Sequence, residues 1–443
     1  MDNSSDLSSL STLRLAVADV NGIWRGKRLA TQHAGKLDQG GVRLPLSALN
    51  VDIFGADIED SPLVFESGDA DGILLPTNRG AVAMPWLERA SALVPMMLYH
   101  DDGTPFMGDP RQALVAVLER FKARGWQVIA GTEMEFCLID DSADALQPPA
   151  NPLTGRRLAQ QEVLSLAELD AFDAFFTDLY DGCEAMGIPA QAAISEGGLG
   201  QFEINLNHQD ALRAADDAIL FKQLTRGIAR KHGFAATYMA KPYGDEAGNG
   251  LHVHFSVVDQ DGNNVFDDGS DTGNALLQHA VAGCLAAMPA STLAFAPNVN
   301  SYERLVPGAH APTAALWGYE NRTAALRIPG GSHKARRIEH RTAGGDINPY
   351  IMLATVLGAA LVGIEDAMQP PAPITGDAYQ IKDAPALAPD WETAINWFEQ
   401  DPLIARILPA ALIRNLVMTK RQELTRFDAL PSEKHWQVLL EAV

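Results

Sequence analysis

The run Thr132-Glu133-Met134-Glu135-Phe136-Cys137-Leu138 alternates polar and apolar side chains. Successive side chains of a strand point to opposite faces. This period therefore predicts a strand with Glu133 and Glu135 on one side and Met134, Phe136 and Leu138 on the other. Three more stretches read the same way: Gln201-Phe202-Glu203-Ile204-Asn205-Leu206-Asn207, Leu251-His252-Val253-His254-Phe255-Ser256 and Arg337-Ile338-Glu339-His340-Arg341. The second of these puts both histidines on one face, and the third sets Glu339 between two arginines on a common face. An amphipathic strand ordinarily turns its polar side to water. Here the polar faces carry Glu, His and Arg together, and the Gly-rich bend after Glu196 adds a carboxylate ahead of Glu203. Converging carboxylates repel unless cations neutralise them. Several Glu oxygens with an imidazole suit Mg²⁺ or Mn²⁺. Neighbouring arginines suit phosphate or carboxylate, because the guanidinium fork matches two oxygens. Together these are the parts of a phosphoryl-transfer site, although no Gly-x-x-x-x-Gly-Lys phosphate loop is present.

On the N-terminal side of this run the chain reads as short strands and turns. Residues 13–20 are apolar and end at Asn21-Gly22, with further glycine punctuation at Gly40-Gly41, Gly55, Gly68 and Gly72. Residues 1–105 are expected to form a small, mostly β domain, and residues 106–443 a second, catalytic one. Asp109-Pro110 is a helix start, with proline at the first helical position. Helical spacing follows over 111–124, closed by Gly125, and again over 167–186 and 211–231. The most apolar stretch, 350–364, is shorter than the roughly 20 residues of a membrane span and reads as a buried helix.

The bulk numbers narrow the function. With 47% hydrophobic residues the chain can bury a sizeable core. Its 34 basic against 56 acidic residues give a net charge of −22, which excludes non-specific nucleic-acid binding. Cys137, Cys183 and Cys284 are far apart and odd in number, so no disulfide framework is expected. The first 13 residues lack a basic segment followed by an apolar run. The expectation is a cytoplasmic protein with small-molecule partners and neither a membrane nor a nucleic-acid partner.

The ordered set of motifs resembles the glutamine synthetase superfamily from about residue 105 onward. It comprises Glu133-Met134-Glu135, Glu196 to Glu203, Gly248-Asn249-Gly250-Leu251-His252-Val253-His254, Asn300-Ser301-Tyr302-Glu303-Arg304-Leu305, Asn321-Arg322 to Arg327-Ile328-Pro329, Arg337-Ile338-Glu339-His340-Arg341 and Asn348-Pro349-Tyr350. The resemblance implies an α+β fold: an N-terminal β-grasp domain, then a curved antiparallel sheet flanked by helices. It implies that Glu135, Glu196 and Glu203 hold one metal ion and Glu133, His252 and Glu339 another. Arg304 and Arg341 would grip glutamate, with Gly248 lining that pocket. His254, Ser256, Arg327, Lys334 and Arg337 would position ATP, and Arg322 would sit by the transferring phosphoryl group. Arg322, Glu196 and His310 are thus the catalytic candidates. The family's assembly implies a homo-dodecamer.

Two departures concern the amine. Ammonia-using relatives carry a Glu six residues after the Arg of Tyr302-Glu303-Arg304-Leu305, where this chain has His310. Their Asp-Gly-Ser-Ser stretch is missing, and Leu49-Asn50-Val51-Asp52-Ile53-Phe54-Gly55 lies about where it should be. Asp19-Val20-Asn21-Gly22-Ile23-Trp24-Arg25-Gly26-Lys27 resembles the γ-glutamylpolyamine synthetase branch. The expected function is an ATP-dependent ligase that joins the γ-carboxyl of glutamate to a primary amine through a γ-glutamyl phosphate. The alternatives are an ammonia-dependent glutamine synthetase and a catalytically silent member of the superfamily. Tyr379 falls near the position of a regulatory tyrosine of some relatives, where packing is the expected role.

Overall fold

Residues 10–37, 40–244, 246–309 and 311–443 are described by a computed structural model. His310 lies outside the described residues. The first sheet contains β1 (Thr12–Ala18), β2 (Trp24–Ala30), β3 (Arg43–Pro45), β4 (Asp71–Pro76), β5 (Val82–Ala83) and β6 (Ser91–Tyr99). Its order is β2-β1-β6-β4-β3, with β5 also on β6. Only β1 and β6 run parallel among these pairs. Alternation buries Leu13, Leu15, Leu74 and Leu98 completely. At the Asn21-Gly22 turn the Asp19 carboxylate accepts the backbone N–H groups of Asn21 and Ile23, each at 2.9 Å.

The second sheet contains β7 (Gln127–Ile139), β8 (Ala190–Ser195), β9 (Gln201–Asp210), β10 (Ala235–Thr237), β11 (Leu251–Val258), β12 (Trp317–Tyr319), β13 (Leu326–Ile328) and β14 (Ile338–His340). Its order is β12-β13-β14-β11-β7-β9-β8, with β10 on the end of β7. The sheet is antiparallel except at its edge, where β12 and β13 run parallel. All four expected polar strands are therefore neighbours in one sheet. Their apolar sides form the core, with Met134, Phe136, Leu138, Phe202, Ile204, Leu251 and Val253 fully buried.

Helices cover that apolar side. Pro110–Lys122 starts as read, with the Asp109 carboxylate accepting the N–H of Arg111 at 2.9 Å. Ala211–Lys231 is one helix, and Pro349–Glu365 is buried over nearly its whole length. The continuous helix expected over 167–186 is two helices, Leu166–Ala171 and Asp173–Met186. Phe172 leaves helical dihedrals at φ −103°, ψ 18° and buries its ring against Phe202 and Phe234. Tertiary packing of one aromatic side chain overrides the helical period there. Among the described residues no helix is long and apolar enough to cross a membrane, and the three cysteines are buried and free.

A buried polar seam joins the N-terminal strands to the helix Ala410–Asp428. Lys420 Nζ lies 2.8 Å from Glu423 Oε2 and 2.5 Å from Asn21 Oδ1. Glu423 Oε1 accepts Asn21 Nδ2 and the N–H of Ile53, both at 2.7 Å. Asp52, also buried, pairs with Arg426 at 2.6 Å. The 49–55 segment is thus tied down within its own chain.

Candidate active site

Strand register assembles the site. On β7, Glu133 faces His252 of β11 on one side and Asn205 of β9 on the other, and Glu135 faces Glu203. On β14, Glu339 faces His254 of β11 and Arg327 of β13. Directly paired side chains on one face lie within about 4.5–5.5 Å at Cβ, so these residues must interact. Glu133 accepts from both histidines: Oε2 is 2.8 Å from His252 Nδ1 and Oε1 is 2.8 Å from His254 Nε2. Ligand atoms of Glu133, His254 and Glu339 gather within 4.8 Å of one another, and so do those of Glu133, Glu203 and His252. Glu133 belongs to both groups. The grouping differs from the one the resemblance implied, in which Glu203 sat with Glu135 and Glu196.

The carboxylates differ in charge state. Burial opposes ionisation of Glu133, but hydrogen bonds from His252 and His254 outweigh it and hold this carboxyl well below the usual range. Burial, followed by the charges of Glu133, Glu135 and Glu196, pushes Glu203 up to about 9. Burial and the charges of Glu135 and Glu133 raise Glu196 to about 7, against the pull of Arg322. Arg322 is exposed, yet it thereby acts on the cluster. Cations would neutralise these converging carboxylates, and an oxygen-rich set with imidazole suits a hard divalent ion.

The arginines divide into two kinds. Glu339, nearly fully buried, is clamped by Arg341 and by Arg327, whose Nη1 is 2.8 Å from Oε2. Arg337, expected to flank Glu339, instead turns its Nε to His254 Nδ1 at 3.3 Å. The second clamp comes from the neighbouring strand, because Arg327 and Glu339 share a register position. Arg304 is buried with no carboxylate within 4.0 Å among the described residues, and its Nη1 donates to the carbonyl of Thr342 at 2.9 Å. It is a buried cation available to an anionic ligand. Gly248 and Gly250 make room for it: a Cβ on Gly250 would meet Arg304 Nη2 at 2.8 Å and Glu135 Oε1 at 3.2 Å, and one on Gly248 would meet the Ala240 carbonyl at 2.3 Å.

Beside the cluster opens a cleft of about 920 Å³, lined by Glu133, His254, Ser256, Lys334 and Arg337 among others. Four of the five residues expected around the nucleotide therefore share one space; Arg327 is engaged with Glu339. Reading the sequence missed Gln201, whose amide nitrogen reaches Glu135 at 3.4 Å and the Gly248 carbonyl at 3.0 Å. It also missed Asn205, which donates to Glu203 at 2.8 Å. Both stand on the same polar face of β9 as Glu203, at the positions two residues before and after it, so strand alternation marks them and only their partners are not local.

Residues 107–439 match the family described as glutamine synthetase, catalytic domain. The chain belongs to the glutamine synthetase family. It is a glutamine synthetase-type ligase, and ligases of this family use ATP and divalent metals. A γ-glutamylputrescine synthetase of Escherichia coli is 35% identical over 429 residues, 96% of this chain and 90% of the relative. A glutamine synthetase of Halobacterium salinarum is 31% identical over 440 residues, 97% and 93% of the two chains. The solved structure of a GmaS/ADP complex superposes with a TM-score of 0.84 at 27% identity, covering 98% of this chain and 97% of that one. The two-sheet α+β architecture is that of the glutamine synthetase fold.

Proposed function

We propose that this glutamine synthetase-family ligase joins the γ-carboxyl of glutamate to a primary alkylamine or polyamine, with ATP activating the carboxyl as an acyl phosphate. The observation that carries the reading is the arrangement around Glu133. The carboxylate cluster borders, through Glu133, the cleft that reaches Lys334 and Arg337, and through Glu135 at Gly250 it adjoins the buried Arg304, which has no ion-pair partner among the described residues. Glu133, Glu135, Glu196, Glu203, His252 and Glu339 would hold divalent cations. Their donor chemistry fits: carboxylate oxygens and imidazole nitrogens converge, and the mutual repulsion that raises Glu196 and Glu203 is what divalent cations would relieve. When bound, such cations supply positive charge to the phosphates and to the oxygens between which the phosphoryl group moves.

The chain's own groups divide the remaining work. His254, Ser256, Lys334 and Arg337 line the space for ATP, with Arg327 bordering it through Glu339. Arg304 and Arg341 take the glutamate carboxylates, in a pocket kept open by Gly248. Arg322, facing Glu196, offsets charge on the transferring group. Glu196 and His310 are the groups proposed to remove the proton that the incoming amine must lose. We take 1–105 as a β-grasp domain and 106–443 as the catalytic domain. The first sheet ends at Tyr99 and the family match begins at 107, in support of that division.

Three features favour an amine over ammonia. The acidic residue of ammonia users is replaced by His310, the Asp-Gly-Ser-Ser stretch is absent, and the relative that uses putrescine is the more similar of the two named. A primary alkylamine or polyamine is expected to give a higher kcat/KM than ammonia. Competition at equal free-base concentrations, with the γ-glutamyl products resolved by mass spectrometry, tests this. Glutamine as the dominant product would restore the plain synthetase.

The family's ring assembly supports a further expectation, a homo-dodecamer of two stacked hexamers built on head-to-tail contacts. Light scattering of the active protein decides it, and an active monomer would rule it out.

A further inference from the structure

Tyr379 stands on the short turn Ala378–Gln380. Its hydroxyl donates to the carbonyl of Ala311 at 2.9 Å. The backbone around it is stitched to another part of the site. Ala378 N–H donates to Thr323 Oγ1 at 2.9 Å, Asn321 Nδ2 donates to the Gly376 carbonyl at 2.8 Å, and Ile374 N–H donates to the Trp317 carbonyl at 2.8 Å. Asp377 fixes the turn by accepting the N–H of Tyr379 at 3.0 Å. Asn321 and Thr323 are the two neighbours of Arg322, and Ala311 lies at the end of the segment that begins at Arg304. The strap 374–380 therefore grips the Arg322 turn through its backbone and the Arg304 loop through one phenol. That phenol is half-buried. Burial keeps it protonated, and so a donor, despite the charges of Arg304 and Arg341.

We propose that Tyr379 is a positioning residue: through Ala311 it holds the segment after Arg304 against the Arg322 turn, so that water is kept from the activated carboxyl while the amine attacks. The proposal rests on the acyl-phosphate reading above. Its chemical consequence is specific. If water reaches the acyl phosphate, the water oxygen adds to the acyl carbon and loses a proton to solvent. The carbon–oxygen bond to phosphate breaks, and glutamate and phosphate are released. ATP is then consumed with no amide formed. A role in folding alone would lower phosphate release and amide formation together.

The test is the ratio of γ-glutamyl amide formed to phosphate released. It is measured in the full-length enzyme with whichever amine the wild type uses, ammonia included. Tyr379→Phe removes the hydroxyl and little else. It is expected to cut that ratio to about half or less and to raise the KM for the amine about fivefold, with the KM for ATP and the melting temperature unchanged. Thr323→Val, which removes one of the strap's three backbone anchors, is expected to lower the ratio in the same direction. If Tyr379→Phe also lowers the melting temperature, Thr323→Val decides. A wild-type ratio in Tyr379→Phe, or a fall in both products at constant ratio, overturns the proposal. Because the wild type alone reports whether an amide forms and from which amine, failure of the amine reading is separable from failure at Tyr379.

Discussion

Replacing Glu133 by alanine is expected to lower turnover by about 10²–10³-fold or more, the scale of losing a group that stabilises transition-state charge. Glu133 is the one carboxylate shared by both groups of candidate cation ligands, and it also orients His252 and His254. Its loss dismantles both groups at once. Loss of Glu135, which sits in neither group, spares their mutual geometry, although the resemblance makes that residue a ligand too. The fold should survive Glu133→Ala. The side chain is partly exposed, and its charge is one of those that push up Glu203 and Glu196, so removing it relieves repulsion. Two measurements check the prediction: steady-state phosphate release, and the rise in melting temperature on adding Mg²⁺. The rise reports ligand binding to the native state and should vanish in the variant. Near-normal turnover at ordinary Mg²⁺ would show that Glu133 is not a shared ligand.

Glu423→Ala is expected to cost about 3–5 kcal/mol of stability, the penalty for leaving a buried charge without its partner. Lys420 and Glu423 are 1% and 0% exposed, so neither can recover hydration in place. The same carboxylate accepts from Asn21 and from the backbone of Ile53, and the alanine variant orphans both donors. Glu423→Gln keeps an acceptor for those two groups but sets its amide nitrogen against Lys420 in place of an acceptor, so its cost should lie below that of the alanine variant without vanishing. Lys420 also reaches Asn298 Oδ1 at 3.3 Å, and Asn298 caps the turn Val299–Glu303 that leads into Arg304. The alanine variant should therefore raise the KM for glutamate as well. Urea unfolding of the three proteins side by side measures the first effect. A loss below about 1 kcal/mol would mean that water reaches the seam and solvates Lys420 once its partner is gone.

The two predictions draw on different levels of the molecule. Glu133 and Glu135 on one face, and His252 and His254 on one face, followed from the sequence because side-chain alternation is local strand geometry and needs no partner. The helix start at Asp109-Pro110 was equally local, resting on one cap and one fixed φ. The metal-type character of the site was legible too, because several polar faces of Glu, His and Arg are too highly charged to belong to an ordinary solvated sheet.

What a strand pairs with is not local. Register decides that Glu133 meets His252 and that Glu339 meets Arg327, and it depends on which apolar faces pack together across the whole sheet. For that reason the sequence could set Arg337 and Arg341 on one face with Glu339, but only the structure shows Arg337 turned to His254 and Arg327 of the next strand on Glu339. The break at Phe172 has the same origin: a ring that fits between Phe202 and Phe234 gains more by burial than the residue loses by leaving the helix. The roles of Gln201 toward Glu135 and of Asn21 toward Glu423 carry no local signal, because those partners lie 66 and 402 residues away in the chain. By itself the sequence determined the strands, their polar faces and the chemistry those faces can support. The tertiary structure alone decided which charges neutralise one another and which, like Arg304, are buried with no ion-pair partner among the described residues, because those outcomes follow from long-range packing and the low dielectric it creates.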